Sequence, residues 1–446
     1  RPFIQKLYID ETHITFLDGK SGRRISILNE KLHVESMKDT LTVELRGKFN
    51  DIPLSFIGDF DSADFIVANR PANAEFNGQF GEAKLKAKGI IGPLAPFFDL
   101  NVTVAVNTDS LTAFSPLAGH HLPDLGPLSF SVKLTGKEGE YTASEMFTIL
   151  NDKNLAAEAK GSIANLAALK GLDLEAKIDT EHLTDILKKI GHQYEYRLPD
   201  SVNAMVMLEG SFKNPVIKQF QTKIQGQGLN ATANGEVKNV LALEGIKADI
   251  NFSVDSLASL GPMMKQELPD SGPVTLEGRI AGETGLKAPV SIAAVVKSDG
   301  VTANITGSIS EPLAIKGIEL VLAAEAESIR QAGKLAGIEY EGQTPVKIDG
   351  RFTTGDNTYE LADLHLQVGE LDVTGHAAFK RPHEPGGRPR LTGKFHIDEL
   401  DLSKQQVLAD TMTVKKSSRD KKESESKVKK DKIFSSEPLP LEALRE

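Results

Sequence analysis

The strongest constraint on this chain is a sequence repeat of about 70 residues that runs through its middle. Four short strand-like segments end in glycine and follow one another at steps of 74, 68 and 72 residues: Gly136, Gly210, Gly278 and Gly350. A second series keeps a similar step: Gly89, Gly161, Gly235, Gly307 and Gly375. Leu-Pro-Asp turns recur in the same register, at 122–124, 198–200 and 268–270. A fixed long period is typical of stacked architectures, in which each unit buries its apolar face against its neighbours.

Most of each repeat alternates between apolar and polar residues, as a β-strand with one buried face does. Segments 172–180, 229–237 and 247–255 are clear examples. Parallel sheets that are buried on both faces read as continuous apolar runs, so the alternation favours antiparallel pairing. Open twisted sheets of more than about ten strands curl. The sequence therefore predicts a mainly β fold of well over fifteen strands, built as an elongated, curled antiparallel sheet that forms a trough.

One segment in each repeat has helical rather than alternating periodicity. In 181–191, Leu183, Ile186, Leu187 and Ile190 have helical spacing, and Gly191 is suited to a helix C-terminus. Segments 110–118, 256–267 and 328–337 occupy the same place in the other units. The predicted unit is therefore a strand, a short helix and about three further strands.

The repeat marks divide the chain into predicted regions. Residues 1–98 are rich in strands but keep only the Gly89 mark, and the repeats follow at 99–171, 172–245, 246–317 and 318–409. Residues 410–432 are highly charged and of low complexity, which predicts a disordered loop. Residues 433–446 begin a further apolar pattern, and the chain starts at Arg1 in strand-like sequence. We therefore interpret the chain as a piece of a longer protein.

Composition excludes several classes of function. The net charge of −10 argues against a nucleic-acid surface, which requires a basic stripe. The absence of cysteine excludes disulfides, thiolate catalysis and cysteine zinc sites. No apolar run approaches the length of a transmembrane helix. The ten histidines are scattered, and the His120–His121 pair lacks a third ligand at a metal-binding spacing. We expect no catalytic residues, no metal site and no cofactor.

Both ends of the chain resemble the AsmA family of Gram-negative bacteria. The resemblance is carried by Leu7-Tyr8-Ile9-Asp10, Ile14 to Gly22 and Leu45 to Leu54 at the start of the chain. At the other end it is carried by Ile397 to Ser403, a variable charged loop, and Ile433 to Leu444. These are loose patterns of apolar, glycine and aspartate positions, and together the resemblance covers essentially the whole chain.

The resemblance implies a periplasmic protein that is anchored to the inner membrane by an N-terminal helix outside this sequence. It also implies kinship with TamB-like, bridge-like lipid transfer proteins. Their sheet forms a groove with an apolar interior, which is thought to conduct phospholipids between the inner and outer membranes in support of outer-membrane biogenesis. The expected partners are phospholipid acyl chains, the inner membrane and outer-membrane assembly proteins, and the resemblance implies no enzyme activity.

We predict that one set of alternating apolar residues lines this groove, and that Asp173, Glu175 and Asp249 face solvent. The predicted lining residues, many of them small, are Leu174, Ala176, Ile178, Ala204, Val206, Leu208, Ala231, Ala233, Ala248, Ile250, Phe252, Val254, Leu320, Leu322 and Ala324.

Two other functions remain open at this point. One is a non-enzymatic scaffold with a self-filled core that binds outer-membrane assembly factors. The other is a carbohydrate-active β-helix enzyme, which requires a calcium loop or an Asp/Arg cluster on one face of the repeats, and neither is visible in the sequence.

Overall fold

A computed structural model of the chain describes thirteen parts of it. These are residues 5–17, 24–62, 69–92, 99–118, 120–137, 140–191, 199–264, 267–283, 285, 289–311, 316–355, 357–380 and 390–397. The predicted disordered loop at 410–432 and the predicted further region at 433–446 lie outside the described residues. Most of the C-terminal motif of the family resemblance lies outside them as well.

The described residues form a single sheet of 23 strands, which confirms the predicted mainly β fold. The first eleven strands are β1 (Lys6–Leu17), β2 (Arg24–Met37), β3 (Thr40–Phe49), β4 (Ile52–Phe60), β5 (Ala72–Phe80), β6 (Ala83–Ile91), β7 (Leu100–Thr108), β8 (Leu128–Lys137), β9 (Glu140–Asp152), β10 (Leu155–Asn165) and β11 (Lys170–Thr180). The other twelve are β12 (Ser201–Ser211), β13 (Asn214–Gly226), β14 (Leu229–Asn239), β15 (Glu244–Val254), β16 (Val274–Gly282), β17 (Val290–Ser298), β18 (Val301–Glu311), β19 (Lys316–Ala326), β20 (Val346–Gly355), β21 (Thr358–Val368), β22 (Leu371–Lys380) and β23 (Arg390–Ile397).

Each strand pairs with the strands that precede and follow it in the chain, and every pairing is antiparallel. The same rule holds through the second half of the sheet. The sheet is therefore an uninterrupted meander that crosses all the predicted repeat boundaries. Within the described residues it is open, with β1 and β23 as its two edge strands.

The four predicted helices are confirmed, each after the first strand of its unit. They are α1 (a 3₁₀ turn, Leu111–Phe114, that continues into Ser115–Ala118), α2 (Leu183–Lys189), α3 (a 3₁₀ turn, Leu257–Leu260, that continues into Gly261–Met264) and α4 (Ile329–Ala336). The predicted 256–267 segment is longer than observed, because residues 267–273 form an irregular segment. Among the described residues, no helix is long and apolar enough to cross a membrane.

Serine side chains begin three of these helices. Ser110, Ser256 and Ser328 have extended backbones, and their hydroxyl groups accept hydrogen bonds from backbone N–H groups of the first helical turn. Such caps satisfy backbone donors that have no partner within the helix. The start of the helix is therefore specified by local sequence in three of the four units, while α2 has no side-chain cap.

The second glycine series of the sequence (Gly89, Gly161, Gly235, Gly307 and Gly375) lies in every fourth strand, and its positions have a steric cause. Gly307 adopts a φ of 156°, and a Cβ placed on it would lie 2.0 Å from the Glu319 carbonyl oxygen of the next strand. Gly161 has the same geometry against the Asp173 carbonyl oxygen, also at 2.0 Å. A side chain does not fit there, so these positions require glycine. Glycine kinks of this kind bend a sheet, in agreement with the predicted curl.

Because consecutive strands run in opposite directions, the sheet has two long rims. The helix rim contains the connections that carry α1 to α4 and the tight turns between them, such as 153–154 and 299–300. The hairpin rim is the opposite edge, where β8 meets β9, β10 meets β11 and β12 meets β13. The two rims and the two faces of the sheet define every surface discussed below.

Candidate functional site: the apolar face

The strand register places all fifteen predicted lining residues on one face, here called the apolar face. Directly opposed residues in an antiparallel pair have side chains on the same side of the sheet. Leu174 opposes Leu208 and Ile178 opposes Ala204, while Ala233 opposes Ile250. Through Gly278, Ala294 and Ile305, the row that contains Ile250 continues to Leu322. Residues that are distant in sequence therefore form one surface, whose role remains a prediction.

This apolar surface extends beyond the predicted set. The register carries it from β2 through β23 by way of Val34, Val43, Val104, Leu366 and Val373, among others. An apolar face that spans nearly the whole sheet must be covered by protein or occupied by something else, since apolar surface is unfavourable in water.

Most of the predicted lining residues are half-buried. Val254 and Ala248 are buried, at 3% and 9% exposure, but the other lining residues keep substantial solvent exposure. Ile178 is 45% exposed, although it belongs to the apolar face. A close-packed protein core has few such gaps. The middle of the apolar face is therefore accessible along much of its length.

No second layer covers this face among the described elements. Apart from contacts between consecutive strands, the principal contacts are between the two segments of α1, between those of α3, and between α4 and β19. The buried apolar residues instead form clusters within the sheet. One cluster contains Val34, Leu41, Phe60, Ala72 and Ala74, and the other contains Val132, Ala143, Ile163 and Leu172.

The N-terminal strands contain a feature that the sequence reasoning missed. Phe56 and Phe76 lie over the glycines of the neighbouring strands, with Phe56 against Gly78 and Phe76 against Gly58. The Phe60 and Phe76 rings meet edge to face, with centroids 5.4 Å apart. The alternation of phenylalanine and glycine in β4 and β5 could have revealed this aromatic filling. In this region aromatic rings occupy the apolar face, whereas the repeats place mainly aliphatic residues, many of them alanine, there.

The opposite, polar face carries cross-strand ion pairs. Asp173 and Asp249 are exposed there, and Asp249 accepts a hydrogen bond from Arg279 Nε at 2.7 Å. Glu175 is less exposed than predicted, at 21%, because Lys177 and Lys160 lie over it at 2.9 and 3.3 Å. These two ammonium groups, Lys177 foremost, lower the pKa of the Glu175 carboxyl. Exposed pairs of this kind contribute little to stability, so this face is chiefly a solvated surface.

Two hollows are lined mainly by residues of the polar face. One, of about 410 Å³, is lined by Ile149, Glu158, Lys177, Met205 and Gln221, among others, and also reaches the predicted lining residues Ile178 and Ala204. A second of similar volume contains Lys247, Asp249 and Arg279. Both are shallow depressions between paired charges, and neither gathers groups that form a reactive site. Within the described residues, no three His, Cys, Asp or Glu side chains come close enough to hold a metal ion.

Comparison of the chain with family models, with curated proteins and with solved structures finds no match. The resemblance to the AsmA family therefore rests on the motifs described above. The case for a function rests on the geometry of the apolar face.

Proposed function

We propose that the chain belongs to a periplasmic, bridge-like protein that holds or conducts phospholipids along its apolar face, between the inner and outer membranes. One observation carries the proposal. A continuous apolar face extends across the strands of an open sheet, and the described elements place no second layer on it.

The dimensions and energies fit such a role. Strands in a sheet lie about 4.8 Å apart, so 23 strands give a path on the order of 100 Å. Burial of an acyl chain of about 16 carbons gains on the order of 12 kcal/mol, at about 0.8 kcal/mol per CH₂ group. Because the four units present similar surfaces one after another, an acyl chain that leaves one unit finds an equivalent site in the next. Repeated shallow sites favour movement over trapping.

The resemblance to the AsmA family supports the location and partners in this proposal. It implies a periplasmic location, an inner-membrane anchor outside this sequence, and outer-membrane assembly proteins as partners at one end. The chemistry of the apolar face independently favours acyl chains over polar ligands. The proposed role is transport or storage, without enzyme activity and without a cofactor.

The scaffold alternative requires a different packing of side chains on the apolar face. A scaffold with a self-filled core needs buried, tightly packed side chains along the strands. The half-buried alanines at positions 231, 233 and 324 favour an occupied groove instead.

A pair of neighbouring substitutions tests the proposal. Ala233 and Thr232 are adjacent in β14, and Ala233 opposes Ile250 on the apolar face while Thr232 opposes Asn251 on the polar face. We expect Ala233→Glu to keep the fold but to lose bound lipid, because an unpaired charge in an apolar groove is costly. Thr232→Glu is the matched control and should retain lipid.

The measurement is mass spectrometry of lipids extracted from the purified full chain, with thermal melting of the same samples. Lipid in the wild-type chain and its loss in Ala233→Glu alone would support the groove. Absence of lipid from the wild-type chain, together with unfolding of Ala233→Glu, would favour the filled scaffold.

A further inference from the structure

We propose that, in the repeats, lipid headgroups lie at the hairpin rim of the sheet, with the acyl chains directed along the strands toward the helix rim. This inference rests on the proposed function and adds an orientation to it. Three differences between the two rims support it.

The first difference is burial at the ends of the strands. In the repeats, many strands begin or end at the helix rim on buried residues, most of them apolar: Thr108, Leu155, Thr180, Leu229, Val254, Val274, Ala326 and Val346. At the hairpin rim of the repeats, many strands begin or end on exposed, polar residues, including Lys137, Glu140, Lys170, Asn214, Glu311 and Lys316, whereas Val290 is buried there. The N-terminal strands show the reverse, because Phe60 and Ala72 are buried at the hairpin rim. The surface along one strand therefore runs from apolar and enclosed to polar and open. A phospholipid has the same polarity along its length.

The second difference is that the helices of the described residues all lie at the helix rim. Three of the four helix connections are bonded to the turn of the preceding unit. The Asp255 N–H donates to the Gly228 carbonyl at 3.0 Å, the Glu327 N–H donates to the Gly300 carbonyl at 2.8 Å, and the ammonium group of Lys189 in α2 donates to Asp152 at 2.5 Å. Turns at the hairpin rim are bonded in the same way, since the Phe212 N–H donates to the Leu169 carbonyl at 3.2 Å. The helices therefore add protein to one rim that tight hairpins such as 212–213 do not add to the other.

The third difference is charge. Each unit places an exposed acid immediately after its first strand, at Asp109, Glu181, Asp255 and Glu327. These acids recur along the helix rim, where Lys188 and Lys189 already face Asp185 and Asp152, and where Lys153, Arg330 and Lys334 are also exposed. A lipid phosphate is negatively charged, and a row of like charges repels it.

The hairpin rim has the opposite tendency. Lysines stand at or beside its turns: Lys137, Lys170, Lys213, Lys238, Lys316 and Lys380. Glu140, Glu244 and Glu311 balance some of them, so this rim is mixed in charge rather than strongly basic. A phosphate meets ammonium groups there without a continuous acidic row. Zwitterionic and anionic phospholipids both carry a phosphate that can interact with these ammonium groups.

A single strand provides the test, because β9 joins the two rims. Lys137 lies at the hairpin turn before β9, Thr148 lies on its apolar face opposite Ala159, and Lys153 lies in the turn that follows it. The chain contains no cysteine. Lys137→Cys, Thr148→Cys and Lys153→Cys therefore each allow one photoreactive group to be attached at a known place. The labelled full chains are incubated with phosphatidylethanolamine–phosphatidylglycerol vesicles, illuminated and analysed by mass spectrometry.

We expect acyl-chain adducts at position 148, and several-fold more headgroup adducts at position 137 than at position 153. Equal or reversed headgroup labelling, with acyl adducts still present at 148, would overturn the orientation and leave the lipid groove intact. Absence of adducts at 148 would instead refute the proposed function, and the orientation with it.

The charge contribution has its own variant. Asp109→Lys combined with Glu181→Lys reverses the acids of the helix connections on either side of the β9–β10 turn. Both side chains are exposed, so the fold should persist, as melting of the variant verifies. Headgroup labelling at position 153 should then rise toward that at position 137. An unchanged ratio would overturn the role assigned to these acids.

Discussion

The N-terminal strands and the repeats share one antiparallel meander but differ in the side chains that they place on the apolar face. In β4 and β5, Phe56 and Phe76 lie over glycines of the neighbouring strand, and Phe76 packs against a buried cluster that contains Phe60 and Leu41. In β14 to β19, the equivalent surface mixes alanine, glycine and valine with leucine, isoleucine and Phe252, and most of it is half-buried. The contrast indicates that the same antiparallel meander can be filled by its own side chains or left accessible, depending on side-chain size at alternate positions.

The largest expected effect tests the feature that both regions share. Gly307→Val places a side chain against the Glu319 carbonyl oxygen and forces a backbone conformation that valine avoids. Strain and overlap together should lower the free energy of unfolding by about 3–6 kcal/mol. Gly89→Val in the N-terminal strands should cost as much, because its Cβ would lie 2.0 Å from the Asn101 carbonyl oxygen.

Denaturant unfolding of the full chain measures both variants. Gly355→Val is the control, since a Cβ there meets its nearest neighbour only at 4.0 Å. Similar stability of Gly307→Val and Gly355→Val would show that the kinked glycines are not required.

The next largest effect separates the two regions. Phe60 is 7% exposed and packs within the N-terminal cluster, so Phe60→Ala should lower the free energy of unfolding by about 3–5 kcal/mol. Phe252 lies on the apolar face of β15 and is only half-buried, so Phe252→Ala should cost clearly less. Urea unfolding of the two variants in lipid-free protein provides the comparison. Equal losses would mean that the repeats are as tightly filled as the N-terminal strands.

A smaller effect tests the space on the apolar face directly. Ala74 is 4% exposed beside Phe60, so Ala74→Leu should overpack the cluster and cost about 1–3 kcal/mol. Ala303 opposes Val296 and Ala324 in the half-open repeats, so Ala303→Leu should be near neutral. Thermal melting of the paired variants measures the difference. Destabilisation of Ala303→Leu to the same extent would contradict an accessible groove.

The smallest effect concerns the polar face and its response to pH. Asp372 accepts a hydrogen bond from His365 at 2.8 Å and raises the pKa of this histidine above its ordinary 6.5. Since the folded-state pKa is the higher one, the contribution of His365 to stability is fully present below pH 6.5. It declines as the pH rises through the raised folded-state pKa.

We therefore expect the melting temperature of wild type to lose a small increment, relative to that of His365→Gln, as the pH rises above 6.5. The two proteins should differ most on the acidic side. Parallel melting curves across this range would show that the pair has no effect on stability.

Much of the fold could be predicted because its signals are local. Alternation at 172–180 and 247–255 specified strands and their faces, and the glycine and Leu-Pro-Asp series specified the repeat. Helical spacing at 181–191, and the equivalent place of three other segments in the repeat, located the four short helices to within a few residues. The phenylalanine cluster was not predicted because residues 1–98 keep only the Gly89 position of the repeat, so the predicted lining residues all came from the repeats. The partial burial of Glu175 was missed because it depends on two lysines, one of them on another strand.

The sequence by itself determined the period, the strand and helix positions, and which side chains share a face, because each depends on neighbours along the chain. Only the tertiary structure decided that the apolar face carries no second layer among the described elements, that its middle is half-buried, and that its two rims differ in burial within the repeats. Burial depends on which elements are absent above a surface as well as on which are beside it. Alternation in sequence identifies an apolar side chain, whereas only the assembled sheet determines whether protein covers it.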